Sequence, residues 1–202
     1  QGLSLGQVFA RLPARFGKSD LVRPFPRESS LGILARFRPA DERIEQVDYR
    51  ADGLRLRTAG GEVAGAEMPA GQVEELERIR TELEGRFPGA EGFGPVSWIN
   101  YVDGVRVGFG GGDVVHLRPS GNAPELRVYA NADTQERAEA MVVLAAADGG
   151  VVRRMEDEWR RRQALAAYRE RPVVARLQGT VQHYAWGGHE FLPRLLGWER
   201  PV

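Results

Sequence analysis

Between Val96 and Asn131 four short apolar segments follow one another too closely for a helix to fit between them, and this spacing restricts the fold more than any other feature of the chain. Val96–Val102 and Val105–Phe109 flank Asp103-Gly104, a two-residue hairpin signal because glycine takes a positive φ without a Cβ penalty. Gly110-Gly111-Gly112 turns the chain into a third segment, Asp113–Arg118, and a fourth, Glu125–Asn131, follows a Pro/Ser/Asn-rich loop. Parallel neighbours need crossovers of a dozen or more residues, so these segments pair as an antiparallel meander. Asp133-Thr134-Gln135-Glu136 then reads as a capping box opening a helix, with Ala138, Met141, Val142 and Ala145 as its buried stripe. Strands followed by a covering helix give an α+β class: a small, mostly antiparallel four-stranded sheet covered by helices.

The flanking regions are read from their own periods. Leu3, Val8, Phe9, Leu12 and Phe16 have helical spacing interrupted by Pro13, and Pro24 and Pro26 punctuate a hinge before a short apolar helix around Leu31–Phe37. Val73, Leu76, Ile79 and Leu83 line one face of a scaffold helix whose other side pairs Glu74 with Arg78 and Glu82 with Arg86. Val47-Asp48-Tyr49 with Asp52-Gly53-Leu54-Arg55-Leu56 echoes Ile99-Asn100-Tyr101 with Asp103-Gly104-Val105-Arg106-Val107; two similar hairpins is the preferred reading over a duplication. After Gly149-Gly150 the stretch Val151–Arg171 offers Glu156/Arg160, Asp157/Arg161 and Glu158/Arg162 pairs and a narrow Val152, Met155, Trp159 stripe, the pattern of a solvated linking helix. A new apolar pattern begins at Val173, so the expected plan has a helical linker and an incomplete β segment at the C-terminus.

Composition limits the chemistry. The 202 residues carry 28 basic and 28 acidic side chains, so no net field draws the chain to nucleic acid or to an anionic membrane, and an anion site must be local. Lys18 is the only lysine, a bias toward arginine read first as the mark of a GC-rich genome, although arginine is also the better bidentate phosphate ligand. Without cysteine there are no disulfides or thiolate metal sites, which fits a reducing, cytoplasmic setting, and no apolar run reaches membrane-spanning length. The chain starts at Gln1 without a methionine and is read as a piece of a longer protein.

Arg118-Pro119-Ser120-Gly121-Asn122-Ala123-Pro124-Glu125-Leu126-Arg127-Val128-Tyr129 has the chemistry of an anion loop. Pro119 and Pro124 limit the entropy lost on closing around a ligand. Gly121 is expected to let consecutive N–H groups converge as a nest, with the Ser120 hydroxyl and the Asn122 amide as further donors. Arg118 ends one strand and Arg127 lies in the next, so two guanidinium groups approach from opposite sides, each charge-assisted bond contributing ~1.5–3 kcal/mol. His116 shares the alternate face of Arg118 but reads as a partner-satisfied strand histidine and is left out of the site. The candidate phosphate ligands are therefore Arg118, Ser120, Gly121, Asn122 and Arg127, and no catalytic or metal residue is assigned.

Arg118–Tyr129 resembles the C-terminal phosphate-binding loop of the α-D-phosphohexomutases, the phosphomannomutase/phosphoglucomutase family, whose pattern is roughly R-x-S-x-T-E-P-x-x-R-x-Y. The sequence departs at Asn122 and Ala123, where Thr-Glu is commoner. The likeness runs from about Leu3 to Ala147, is specific in its last fifty residues and loose between Ile44 and Gly71. It implies that residues 1–24 are the end of a third domain and a hinge, and that 25–149 form the fourth, phosphate-gripping domain. In that family a phosphoserine phosphorylates a hexose monophosphate, the bisphosphate turns over and the other phosphate returns to the serine, with Mg²⁺ assisting. The fourth domain holds the phosphate that is not reacting. No serine, metal or sugar loop of that family occurs here, and Ser19, Ser29 and Ser30 read as capping or solvated serines. The chain alone is expected to be inactive and to depend on the missing first three mutase domains as partners, with a hexose phosphate as substrate.

Leu177-Gln178-Gly179-Thr180-Val181-Gln182-His183-Tyr184-Ala185-Trp186-Gly187-Gly188, with Phe191-Leu192-Pro193 and Leu195-Leu196-Gly197, resembles the opening strand of type I mannose-6-phosphate isomerases, zinc-dependent cupins. That assigns 150–172 to a linker and 173–202 to a truncated isomerase start, and it implies Zn²⁺ for a full isomerase, with neither His183 nor His189 claimed as a ligand. Together the resemblances imply a bifunctional parent converting fructose 6-phosphate through mannose 6-phosphate to mannose 1-phosphate, toward GDP-mannose. The alternatives are a stand-alone sugar-phosphate sensor and, opposed by the zero net charge, nucleic-acid binding through Arg160-Arg161-Arg162.

Overall fold

A computed structural model describes residues 14–170 together with 2, 4–9 and 11. In chain order the elements are α1 (Leu5–Phe9), β1 (Phe16–Val22), α2 (Arg27–Ala35), β2 (Ile44–Arg50), β3 (Gly53–Thr58), β4 (Gly61–Ala64), α3 (Ala70–Arg86), β5 (Val96–Asn100), β6 (Val105–Phe109), β7 (Val114–Pro119), β8 (Leu126–Ala132), α4 (Gln135–Ala146) and α5 (Val151–Glu170). The resemblance to an isomerase start, residues 173–202, lies outside the described residues.

The class is α+β, but the sheet has eight strands, not four, in the order β1-β8-β7-β6-β5-β2-β3-β4. Two regions account for the difference. Residues 16–22, expected within a hinge, pair antiparallel with β8 from Phe16 opposite Ala132 to Val22 opposite Leu126. The loosely read stretch after Ile44 forms a second meander, β2-β3-β4, which joins the first where β2 pairs with β5.

The two echoing hairpins meet back to back. Val47 lies opposite Ile99, with Gln46 opposite Asn100 and Asp48 opposite Trp98, so the echoed residues pair around a local two-fold through Val47 and Ile99. Tyr49 and Tyr101 occupy matching buried places on either side of that axis, and burial raises both hydroxyl pKa values above the ordinary tyrosine range.

Alternation along the strands separates two faces. Val107, Val115, Leu117, Val128 and Ala130 are buried under the helices, whereas Arg106, His116, Arg118, Arg127 and Tyr129 project from the other side. Leu76, Ile79 and Leu83 of α3 and Ala138, Met141, Val142 and Ala145 of α4 complete the core on the apolar side, as their helical spacing requires. Thr134 caps α4 by accepting from the Arg137 N–H at 3.1 Å; Arg137 stands where a capping box needs Glu or Gln, so the cap is one-sided.

The first turns of α5 are not a solvated linker: Val151, Val152, Met155 and Glu156 are buried. Its carboxylates also serve other elements, since Glu158 accepts from both Nη atoms of Arg86 at 2.6 Å and from Arg36. Gly32 of α2 lies under the Trp159 indole, where any Cβ would collide, and the neighbouring Ser29 and Ser30 are buried rather than solvated. From Arg160 to Glu170 the helix is exposed.

Candidate functional site

β7 and β8 end together at the loop. Their register sets Arg118 opposite Arg127 and Pro119 opposite Leu126, so the two arginines are direct cross-strand partners on the polar face. Like charges in that position repel, and each is offset by a carboxylate from a nearby turn. Asp103 accepts from Arg118 Nε at 2.9 Å. Glu125 Oε1 accepts from Arg127 Nε at 3.3 Å and from Nη2 at 3.1 Å. Donation to the Tyr129 hydroxyl first, and to the Glu125 carboxylate second, raises the Arg127 pKa above the usual guanidinium value. Asp103 thus engages Arg118 through Nε, and Glu125 engages Arg127 through Nε and Nη2.

The Asp103-Gly104 turn that carries the carboxylate to Arg118 is itself held from several sides. Gly104 has φ +83° and lies against β7, where an added Cβ would collide with the Leu117 carbonyl oxygen. Arg38 Nη2 donates to the Tyr101 carbonyl at 2.6 Å and to that of Gly104 at 3.3 Å. His116 Nε2–H donates to the Asp103 carbonyl and its ring stacks on Tyr129 with centroids 5.6 Å apart. As the sequence reading expects, this histidine is satisfied by its neighbours. Its pKa is lowered, first by burial and then by the Arg106 and Arg118 charges, against the raising influence of the Asp103 carbonyl and charge.

Within the loop, the Ser120 N–H is taken by the Glu125 carbonyl at 3.1 Å and the Glu125 N–H by the Ala123 carbonyl at 2.8 Å. Ser120 is buried, and its hydroxyl makes a long 3.4 Å contact to Asn122 Oδ1. The N–H groups of Gly121, Asn122 and Ala123 have no partner among the described residues, although Gly121 and Asn122 are exposed. The expected nest is not formed: no residue of the loop has a positive φ, and Gly121 turns the chain without one. A Cβ on Gly121 would meet nothing within 4 Å, so this glycine leaves space beside the amides. Arg27, the first residue of α2, donates from Nη1 to the Gly121 carbonyl at 2.9 Å, and Phe25 N–H donates to the Pro124 carbonyl at 2.7 Å. Neither contact is visible in sequence, because Arg27 precedes Gly121 by 94 residues.

Two cavities, of about 430 and 380 Å³, flank the β3–β4 hairpin, and no residue of the loop lines either. Among the described residues no group of three or more His, Cys, Asp or Glu could hold a metal ion, so no step through Mg²⁺ or Zn²⁺ is derived for this chain. No helix among the described residues is long and apolar enough to cross a membrane.

The chain is similar to a phosphomannomutase of Sinorhizobium fredii, 51% identical over 49 residues, which are 24% of this chain and 10% of that protein. It is similar also to a phosphomannomutase of Salmonella muenchen, 61% identical over 37 residues, 18% of this chain and 8% of the relative. The matched stretches thus span about a tenth or less of these curated relatives. Residues 54–147, from the start of β3 past the end of α4 and including the whole loop between β7 and β8, match the family model for the phosphoglucomutase/phosphomannomutase C-terminal domain.

Proposed function

We propose that this chain is the phosphate-gripping part of a phosphomannomutase/phosphoglucomutase, holding through Arg118, Ser120, Gly121, Asn122 and Arg127 the phosphate of a hexose phosphate that is not being transferred. The observation that carries the reading is the direct cross-strand pairing of Arg118 and Arg127 beside three consecutive unpaired amides. A phosphoryl dianion between the arginines would take the Nη donors that Asp103 and Glu125 leave over, and the loop amides would supply neutral donors at its third side. The carboxylates hold the guanidinium planes by their Nε edges, so part of the ordering cost is met before the ligand arrives.

An anchor of this kind does no covalent chemistry. It fixes the orientation of the sugar and converts remote binding energy into positioning at the reacting centre, which in this reading lies on the first three mutase domains, with the Mg²⁺ and phosphoserine chemistry belonging to them. The substrate pair proposed for the parent is mannose 6-phosphate and mannose 1-phosphate, while the residues that would choose between mannose and glucose belong to a sugar loop that this sequence does not contain. The Val181-Gln182-His183-Tyr184-Ala185-Trp186-Gly187 signature supports a parent that also carries a zinc-dependent mannose-6-phosphate isomerase, and a sequence without cysteine is compatible with work in the cytoplasm.

The test is a titration of the ¹⁵N-labelled chain with mannose 6-phosphate, inorganic phosphate and mannose. Shifts at Ser120, Gly121 and Asn122 are expected with both phosphates and not with the free sugar, and Arg118→Ala should remove them. Equal shifts with mannose, or none with either phosphate, would refute the assignment.

A further inference from the structure

Two carbonyls of the loop are drawn toward the segment Phe25-Pro26-Arg27: Gly121 accepts from the Arg27 guanidinium and Pro124 from the Phe25 amide. In a trans peptide the C=O and the following N–H point in opposite directions. The Pro124 carbonyl, turned to Phe25, therefore leaves the Glu125 N–H on the far side, where it closes the loop onto Ala123 at 2.8 Å. By the same geometry the Gly121 carbonyl, turned to Arg27, directs the Asn122 N–H away from α2, and that N–H has no partner among the described residues.

We propose that Arg27 is a positioning residue of the phosphate site: its guanidinium fixes the Gly121–Asn122 peptide so that the Asn122 N–H faces a bound phosphoryl group. The inference rests on the phosphate reading of the loop and adds to it a residue outside the matched stretch 54–147. A cation on the carbonyl end of a peptide also polarises the whole unit, which makes its N–H a better donor to an anion. Arg27 acts without being catalytic.

The segment that presents Arg27 is held firmly enough to do this. Phe25 is fully buried, and Ile33 and Leu34 bury the far side of α2. Behind it, Arg153 of α5 donates from Nη1 to the Pro24 carbonyl at 2.9 Å and from Nη2 to the Arg23 carbonyl at 3.0 Å, with its guanidinium 5.7 Å from the Phe25 ring centroid. Arg153 is in turn tied at 2.8 Å to Glu156, a buried carboxylate. Arg27 itself is exposed, so its side chain can be replaced without opening the core.

The experiment uses the full ¹⁵N-labelled chain as wild type, Arg27→Met, Arg27→Lys and Arg118→Ala, titrated with inorganic phosphate and with mannose 6-phosphate. Arg27→Met should weaken both roughly tenfold, because the Asn122 N–H loses its fixed direction and part of its polarisation. It should also displace the Asn122 amide resonance before any ligand is added and leave the thermal midpoint where it was. Arg27→Lys, which keeps the charge and one donor, should recover part of the affinity. Wild-type affinity in Arg27→Met, with binding lost in Arg118→Ala, would overturn this inference and leave the phosphate reading standing. An unmoved Asn122 resonance in unliganded Arg27→Met would overturn the positioning role even if binding weakened. Absence of phosphate binding by the wild type would remove both.

Discussion

Arg118 shows how a single side chain can be committed and available at once. Its Nε edge is given to Asp103 and its Nη edge is left over, a division that only a planar, five-donor group permits. Arg118→Lys is therefore expected to bind phosphate nearly as poorly as Arg118→Ala, about tenfold or more below wild type by isothermal calorimetry, because an ammonium must choose between the carboxylate and the ligand. His116 gives a stability signature. Unfolded, it titrates at the ordinary 6.5; folded, burial and the adjacent arginines depress it. Between those two values the unfolded chain binds the extra proton, so the full contribution is present above pH 6.5 and is lost as pH falls through and below it. His116→Gln should flatten the fall in urea midpoint between pH 7 and pH 5 relative to wild type; an unchanged slope would exclude this histidine as its source. The meeting of Arg118 and Arg127 was legible, because they flank one turn and their pairing follows from strand alternation. Arg27, Arg38 and the Asp103 carboxylate were not, since their contacts join segments that are distant in the chain.

At the level of elements, the sequence reads best where period and punctuation agree. β6 and β7 fall within a residue of their expected bounds and α4 opens at its expected cap, because Asp103-Gly104, the triple glycine and Thr134 mark these places. Gly104→Ala tests one such mark. It forces a side chain into left-handed backbone and against the Leu117 carbonyl, and should cost about 1–3 kcal/mol in chemical denaturation while detaching Asp103 from Arg118. Thr134→Ala removes the single side-chain cap of α4 and should cost about 1 kcal/mol by the same measurement. β1 escaped the sequence reading for a physical reason: Phe16-Gly17-Lys18-Ser19-Asp20 is exposed along an edge, so no apolar alternation betrays it. The opening of α5 was misread for the opposite reason, since its evenly spaced charges look self-sufficient until Arg36 and Arg86 are found beside Glu158.

Across the whole molecule, residues from β1 to the first turns of α5 contribute to one continuous core, and a family match covering 54–147 does not include all of it. Met155, 4% exposed and eight residues past the end of that match, is a direct probe. Met155→Ala should lower stability by about 2–5 kcal/mol in a single unfolding transition followed by both circular dichroism and tryptophan fluorescence. A change under about 0.5 kcal/mol, the range of an ordinary surface substitution, would mean that α5 is only an appendage. The two meanders meet at only three residue pairs, centred on Val47 and Ile99. That junction carries the sheet from one meander into the other. A one-residue slip there would turn every inward side chain of one half to solvent, so the vertical alignment of two fully enclosed aliphatic residues keeps both halves facing the same interior.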